Sequence, residues 1–383
     1  LLQAKNSGAN VFSIVTLGVA NTGKNKDLVF NYSRHIKIMK KTILALTIPA
    51  LFATSASAVE IYSAEDGSKV DLYGRLQYHA GGLGYQGGGE RQNFGGEGQI
   101  RAGINFNQVL NQDISLIGKY EANFDAESKT NSVGNGKNNA NNEIDTRYAW
   151  LGFSFQDTTT LTFGKSEAPR AQLTDLTDTL DIFGANVTRA GGFNRVDDQI
   201  RVSYAANGLD LRGAYAFNDD RKQDQSIFNN DIDDTRWGVS AGYTLPINLG
   251  FVASYNQEDN DYVTAGSTDK TKEWGLGAHY SIDGFYFAGL YGQIDEKNTG
   301  LADDDGAKFW ELQASYNVEE WTLIANYANA KGRKASSGDK LVDEYTLAAR
   351  YAFTPKTKIY AEYVINEISD EDDLYGVGIQ YNF

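Results

Sequence analysis

Three histidines and no cysteine leave this chain of 383 residues little material for nucleophilic or metal chemistry. His35, His79 and His279 lie far apart, no nearby sequence marks a nucleophile, and a thiolate site is excluded. Two nucleotide-binding patterns occur, and both fail on context. Gly82 to Gly87 reads GxGxxG with no helix or βαβ unit behind it; Gly18 to Lys24 reads GxxxxGK with Asn25 in place of the required Ser or Thr. Neither a catalytic cluster nor a cofactor site emerges, and no metal site is expected. The chemistry that remains is fixed charge. Arg75, Arg101 and Arg147 each sit in a segment of alternating apolar and polar residues, and Asp175, Asp178 and Asp181 recur at spacing three, which puts them on one face if that stretch coils helically.

Those charges need a scaffold, and composition narrows it. The single methionine is Met39, followed by Lys40-Lys41, the apolar run Thr42 to Phe52 and Ala56-Ser57-Ala58, which is the order of a secretory signal and its cleavage site. Residues 1–38 are expected to lie outside the native protein, 39–58 to be the signal peptide, and 59–383 to fold. N-terminal sequencing of exported protein should therefore begin at Val59; a start before Met39 refutes this. The remaining 325 residues carry 28 Lys and Arg against 49 Asp and Glu, a formal charge of −21. Such a surface argues against nucleic acid, whose phosphates must be met by cations. Tyr 23, Phe 19 and Trp 5 are too many aromatics for disorder, Pro 4 is too few for linkers, and zero Cys rules out a disulfide-stapled module. After Phe52 no apolar stretch approaches the roughly 20 residues of a spanning helix, so membrane entry would require a barrel.

From Val59 onward the apolar period is 2 rather than 3.6. Val70, Leu72, Gly74, Leu76 and Tyr78 face one way; Asp71, Tyr73, Arg75, Gln77 and His79 face the other. The stripes Trp237 to Tyr243, Trp274 to Tyr280, Trp310 to Tyr316 and Trp321 to Tyr327 each begin and end on an aromatic, as strands crossing a bilayer do. Sixteen segments begin near Val70, Gln99, Ser115, Glu143, Thr160, Gln199, Leu209, Thr235, Leu249, Glu273, Phe285, Lys308, Trp321, Asp343, Lys358 and Leu374. Tight turns such as Ala206 to Gly208 and Ser281 to Gly284 alternate with long polar loops such as Ala126 to Asn142, a pattern that a barrel inserted from one side imposes. The expected fold is all-β: a 16-stranded antiparallel transmembrane β-barrel with short periplasmic turns and long external loops. In this phase Arg75, Arg101 and Arg147 point into the lumen.

Particular motifs carry a resemblance. Glu60-Ile61-Tyr62 with Val70 to Arg75, the strand Asp145 to Gly152, Arg189-Ala190-Gly191-Gly192 and the ending Gly376 to Phe383 resemble the general diffusion porins of Gram-negative outer membranes across nearly all of 59–383. The resemblance implies a trimeric channel passing small hydrophilic solutes and ions, with a third external loop folded inward, here Lys165 to Asp198. It implies a basic wall of Arg75, Arg101, Arg147 and Arg189 facing the loop carboxylates Asp175, Asp178 and Asp181. Opposed rows of charge across a narrow wet gap orient dipolar solutes and set ion preference. The chain departs from many enteric members by having Asp181-Ile182-Phe183-Gly184-Ala185 where they have Pro-Glu-Phe-Gly-Gly.

The acidic composition leads us to expect cation preference. Alternatives are a sugar-selective channel, for which Tyr73 and Tyr360 point inward, and a surface adhesin or receptor. Lys119, Glu121, Arg350 and Glu362 also point inward and are read as general lumen polarity. The runs Asp303 to Asp305 and Asp370 to Asp373 could bridge lipopolysaccharide through divalent ions and are read as solvated loop tips. Expected partners are two further copies of the chain, outer-membrane lipid and lipopolysaccharide, and the barrel-assembly machinery, which would read the terminal aromatics Tyr381 and Phe383; no cofactor is expected.

Overall fold

The computed structural model describes residues 58–83, 94–125, 144–184, 194–217, 221–222, 231–262, 267–298, 305–333, 340–369 and 371–383. The upstream segment, the signal-like stretch through Ser57, Arg189, Asp303, Asp304 and Asp370 lie outside the described residues.

Alternation becomes strand wherever it was read. In chain order these are β1 (Val59–Ser63), β2 (Lys69–Gly82), β3 (Gly95–Val109), β4 (Ile114–Asp125), β5 (Ile144–Phe155) and β6 (Thr159–Glu167). Next come β7 (Arg195–Ala206), β8 (Leu209–Ala216), β9 (Arg221–Lys222), β10 (Asp231–Thr244), β11 (Leu249–Tyr262) and β12 (Ser267–Ile282). The last are β13 (Phe285–Asn298), β14 (Asp305–Val318), β15 (Trp321–Gly332), β16 (Lys340–Thr354), β17 (Thr357–Asn366) and β18 (Leu374–Asn382). Each strand from β2 to β8 and from β10 to β18 pairs antiparallel with its neighbour, β8 pairs with β10, and β18 pairs with β2. The sheet is thereby a closed barrel of 16 strands. Closure leaves none of these 16 strands at an edge, which an open sheet in lipid could not do.

Turn chemistry sets the hairpins at one end. Asn207-Gly208 and Asp283-Gly284 have φ of 52° and 84°, and of 47° and 86°, the left-handed pair that a two-residue turn needs to match strand twist. At the other end the strands run past the apolar band. β10 and β3 start four residues before the expected points and β12 six, because polar residues such as Asp233 and Lys270 still pair through their backbones. β1 and the two-residue β9 were not anticipated as strands; β1 folds back on β2 through a turn in which Ser68 N–H donates to Asp66 Oδ1 at 2.8 Å.

The outer face is apolar and exposed, with Leu76, Val239, Leu276, Leu312 and Leu347 among its residues. Aromatics meet across strands in two belts: Trp274 with Tyr291 and Trp310 with Tyr327 toward the long-loop end, and Phe285 with Tyr316 and Trp321 with Tyr351 toward the short turns. Amphipathic rings gather at the two water interfaces of a bilayer. The inner face is polar except where it is covered by the segment after β6.

Candidate functional site

The segment following β6 enters the barrel and is held at two places. Its stem forms one helical turn, Ala171–Thr174, and buries Leu173 and Leu176 against Val252, Leu290, Ile294, Phe309, Ala328 and Ala330 on the inner wall. That apolar patch would be out of place in a wet lumen, and the loop accounts for it. The wall beneath is cut back to fit: a Cβ on Gly275 would come within 2.2 Å of Leu173, and one on Gly277 within 2.5 Å of Leu176. Polar bonds fix the same stem. Arg170 Nε donates to Glu273 Oε1 at 2.5 Å with both side chains 0% exposed, Gln172 Nε2 donates to the Asp210 carbonyl at 3.1 Å, and Tyr286 Oη donates to the Leu176 carbonyl at 2.8 Å.

The tip is held by charge. Glu362 on β17 accepts the backbone N–H groups of Asp181, Ile182 and Phe183 at 2.5, 3.1 and 2.9 Å. The Asp181 carboxylate pairs with Arg350 Nε at 2.7 Å and with Lys358, and Arg350 also donates to the Thr179 carbonyl at 2.8 Å. Ile182 and Phe183 then pack with Leu83, Val364 and Leu374. Burial alone would raise the Asp181 carboxyl, but Lys358 and Arg350 overcome it and hold it below the ordinary carboxylate range. Asp175 goes the other way: burial, reinforced by Glu167, holds its carboxyl well above that range.

Strands β2 to β5 carry the basic wall. Arg75 and Arg101 are register partners; Arg75 Nη2 donates to Gln99 at 3.0 Å and Arg101 Nε to Asn123 at 2.8 Å. Arg147 Nε donates to Glu121 Oε1 at 2.7 Å, and Tyr73 Oη donates to Glu121 Oε2 at 2.8 Å. Lys119 lies 3.7 Å from Glu121 and 4.2 Å from the Tyr148 ring centroid, while Arg195 caps that ring at 5.7 Å. The Tyr148 hydroxyl donates to Glu167 at 2.5 Å. Arg75, Arg101, Lys119, Arg147 and Arg195 thus outnumber the wall carboxylates Glu121 and Glu167 among the described residues, which leaves this side of the lumen positive.

Residues 45–373 match the family described as Gram-negative porin. The chain belongs to the Gram-negative porin family. Among relatives, Outer membrane porin N of Escherichia coli (strain K12) is 28% identical over 373 residues, covering 88% of this chain and 95% of its own. Outer membrane protein U of Vibrio parahaemolyticus is 26% identical over 345 residues, covering 89% and 94%. The Salmonella typhi OmpF complex with daunomycin superposes with a TM-score of 0.68 at 19% identity, covering 85% of this porin and 100% of that chain, a likeness of fold.

Within this porin the expected constellation is only partly assembled. Arg75, Arg101 and Arg147 share one wall, and Arg189 lies outside the described residues. The three loop aspartates do not share a helical face, because the helix stops at Thr174. Asp178 is exposed, Asp175 half-buried, and Asp181 turns to β16 and β17 with its side chain 9% exposed. Arg350 and Glu362, which grip the tip together with Lys358, and Glu121, which ties the wall together, exceed the general polarity expected of them. Their inward phase was readable from alternation; their partners were not, since Asp181 and Arg350 are 169 residues apart.

Proposed function

We propose that this outer-membrane porin is a water-filled channel for passive diffusion of small hydrophilic solutes and ions, narrowed between the Arg75, Arg101, Arg147 wall and the inward loop. The observation that carries this reading is the loop itself, seated by its stem on β11 to β15 and held by its tip at β16 and β17 and by Gln77 on β2, in a lumen whose β2 to β5 side carries the cations. Arg189 is assigned to the same wall by its motif. Diffusion through such a gap makes and breaks no bond, and the reading is of a channel rather than an enzyme.

Cation preference is part of the proposal. The acidic sequence biases the mouths, and Asp178 is the loop aspartate left exposed, with Asp175 and Asp181 contributing less because one is held toward its neutral form and the other is paired. In planar bilayers under a KCl gradient, Asp178→Asn should lower the cation/anion permeability ratio, and Arg101→Ser with Arg147→Ser should raise it. Both effects should shrink near 1 M salt, where the screening length is only about 3 Å. Absence of conductance steps would overturn the channel; an unchanged ratio for Asp178→Asn would overturn only the selectivity. The sugar-selective alternative finds no support, because Tyr73 and Tyr360 are 2% and 4% exposed, packed against Gly103 and Gly378, leaving no face for a pyranose ring.

Three copies are proposed to assemble, as in the trimer form of Vibrio cholerae OmpT, a structural neighbour. Outer-leaflet lipopolysaccharide and the barrel-assembly machinery complete the proposed partners.

A further inference from the structure

Behind the inward loop, between its stem and its tip, the barrel wall carries a patch of buried polar side chains. Glu311 and Gln313 on β14, Asn326 on β15 and Thr346 on β16 are 1%, 4%, 3% and 0% exposed. They adjoin by register: Gln313 is the direct partner of Asn326, and Asn326 of Thr346. Asn326 Nδ2 donates to Glu311 Oε1 at 2.6 Å, which draws the carboxylate into the same group. From the loop, the hydroxyl of Thr177, itself 1% exposed, approaches Glu311.

Little in the protein satisfies these groups. Glu311 Oε2, Asn326 Oδ1, Thr346 Oγ1 and both polar atoms of Gln313 make no hydrogen bond of good geometry among the described residues. No Lys or Arg among those residues pairs with Glu311, whereas the buried carboxylates Glu121, Asp210 and Glu273 each have an arginine. Asp178 and Glu344 repel the Glu311 carboxylate. A buried charge beside like charges calls for a counter-ion, and buried polar atoms without partners point to an ion or water between them.

We propose that Glu311, Gln313, Asn326, Thr346 and Thr177 form a binding site for a hard divalent cation of calcium's size. Every ligand atom they offer is oxygen: one carboxylate, two amide carbonyls and two hydroxyls, a set that calcium accepts and completes with water to a coordination number of about 6–8. Side chains drawn from three strands and a loop make an irregular cage, which suits calcium better than magnesium with its strict octahedron. Glu344 and Asp178 bring further negative charge, and Asp178, exposed in the lumen beside Thr177, marks the route in. Among the described residues no three acidic or histidine side chains converge as a metal cluster, so this site depends on neutral oxygens, which no spacing in the sequence marks. Bound there, the ion would tie Thr177 to β14, β15 and β16, a third attachment of the loop between its stem and its tip.

The test is equilibrium dialysis of the refolded full-length protein in detergent against radioactive calcium, after a chelator has stripped other metals. Wild type should bind calcium at a saturable site whose affinity falls about 100-fold in Glu311→Gln and about tenfold in Gln313→Leu, while Gln313→Glu tightens it about tenfold, since ligand charge and number set calcium affinity over several decades. Gln313→Leu removes no charge, so calcium gathered diffusely by acidic loops would not respond to it. Equal binding by wild type and Gln313→Leu therefore overturns the site, as does equal binding by wild type and Glu311→Gln. Tighter binding by Gln313→Glu cannot arise from misfolding, and the band shift of each variant on unheated gels reports its folding. Absence of a saturable site in the wild type would leave the patch to water and overturn the proposal. The readout needs no conducting channel, so its failure and that of the channel reading are distinguishable.

Discussion

Deleting Phe383 should lower the yield of folded, heat-modifiable barrel in cells roughly tenfold. The barrel closes where β18 meets β2, and Phe383 finishes that seam: Gly74 N–H donates to the Phe383 carbonyl at 2.9 Å and Phe383 N–H returns the bond to the Gly74 carbonyl at 3.0 Å. The Phe383 ring lies directly over Gly74, where a Cβ would come within 2.4 Å of it, and stacks with Tyr381 at 6.4 Å. Two backbone hydrogen bonds at about 1 kcal/mol each, together with the ring's burial, account for a factor of ten or more. Gly74→Val should reproduce the defect from the other side of the seam, because its side chain would also meet the Arg101 carbonyl. Band migration of unheated outer-membrane fractions gives the readout, and wild-type levels for both variants would refute the seam. A defect in cells that disappears on detergent refolding would assign Tyr381 and Phe383 to recognition by the barrel-assembly machinery.

The loop anchors should produce the second large effect. Arg170→Met leaves the Glu273 carboxylate in a dry site, and breaking a fully buried pair costs about 3–5 kcal/mol. Burial of Leu173 and Leu176 contributes about 3–6 kcal/mol to seating the stem, so the variant offsets most of it. We expect higher single-channel conductance with more open-state noise; an unchanged trace would mean that the tip suffices to hold the loop. The two ends should also part company with pH. Asp181 has a lowered pKa, so its clamp is fully present above the ordinary value of 3.8 and is lost only as pH falls through the lower folded value. Asp175 has a raised pKa, so its ionisation opposes seating at neutral pH, and acidification toward 3.8 relieves that cost. Conductance noise in the wild type should therefore fall slightly on acidification and rise only below about pH 3.8, a window that Asp181→Asn should abolish.

Legibility in the sequence followed how local each determinant is. Leu209, Leu249, Phe285, Trp321 and Leu374 begin strands at the residues expected, because tight turns and alternation mark them within a few positions. The loop-side ends of β3, β10 and β12 were expected too late, since hydropathy reports where lipid stops and backbone pairing continues into water. The inward phase of Arg75, Arg101 and Arg147 followed from period 2, and so did that of Arg350 and Glu362. The fate of Asp181 did not, because spacing three describes a helix and the helix ends at Thr174, before long-range cations take over. Nor did alternation distinguish inner-wall residues that meet water from those, such as Phe309 and Ala328, that meet the loop.

With the loop narrowing the channel as proposed, the glycines beneath it would place the control of calibre on the far side from the solute. Gly242, Gly275 and Gly277 touch Gln172, Leu173 and Leu176 from below, so a methyl group added there acts as a shim, lifting the loop away from its wall. A lineage could adjust the bore by swapping glycine for alanine at positions no permeating molecule meets, keeping every charge along the route. Sieving and sorting would then be tuned by separate sets of residues, one set hidden behind the partition and the other displayed on the wall across from it.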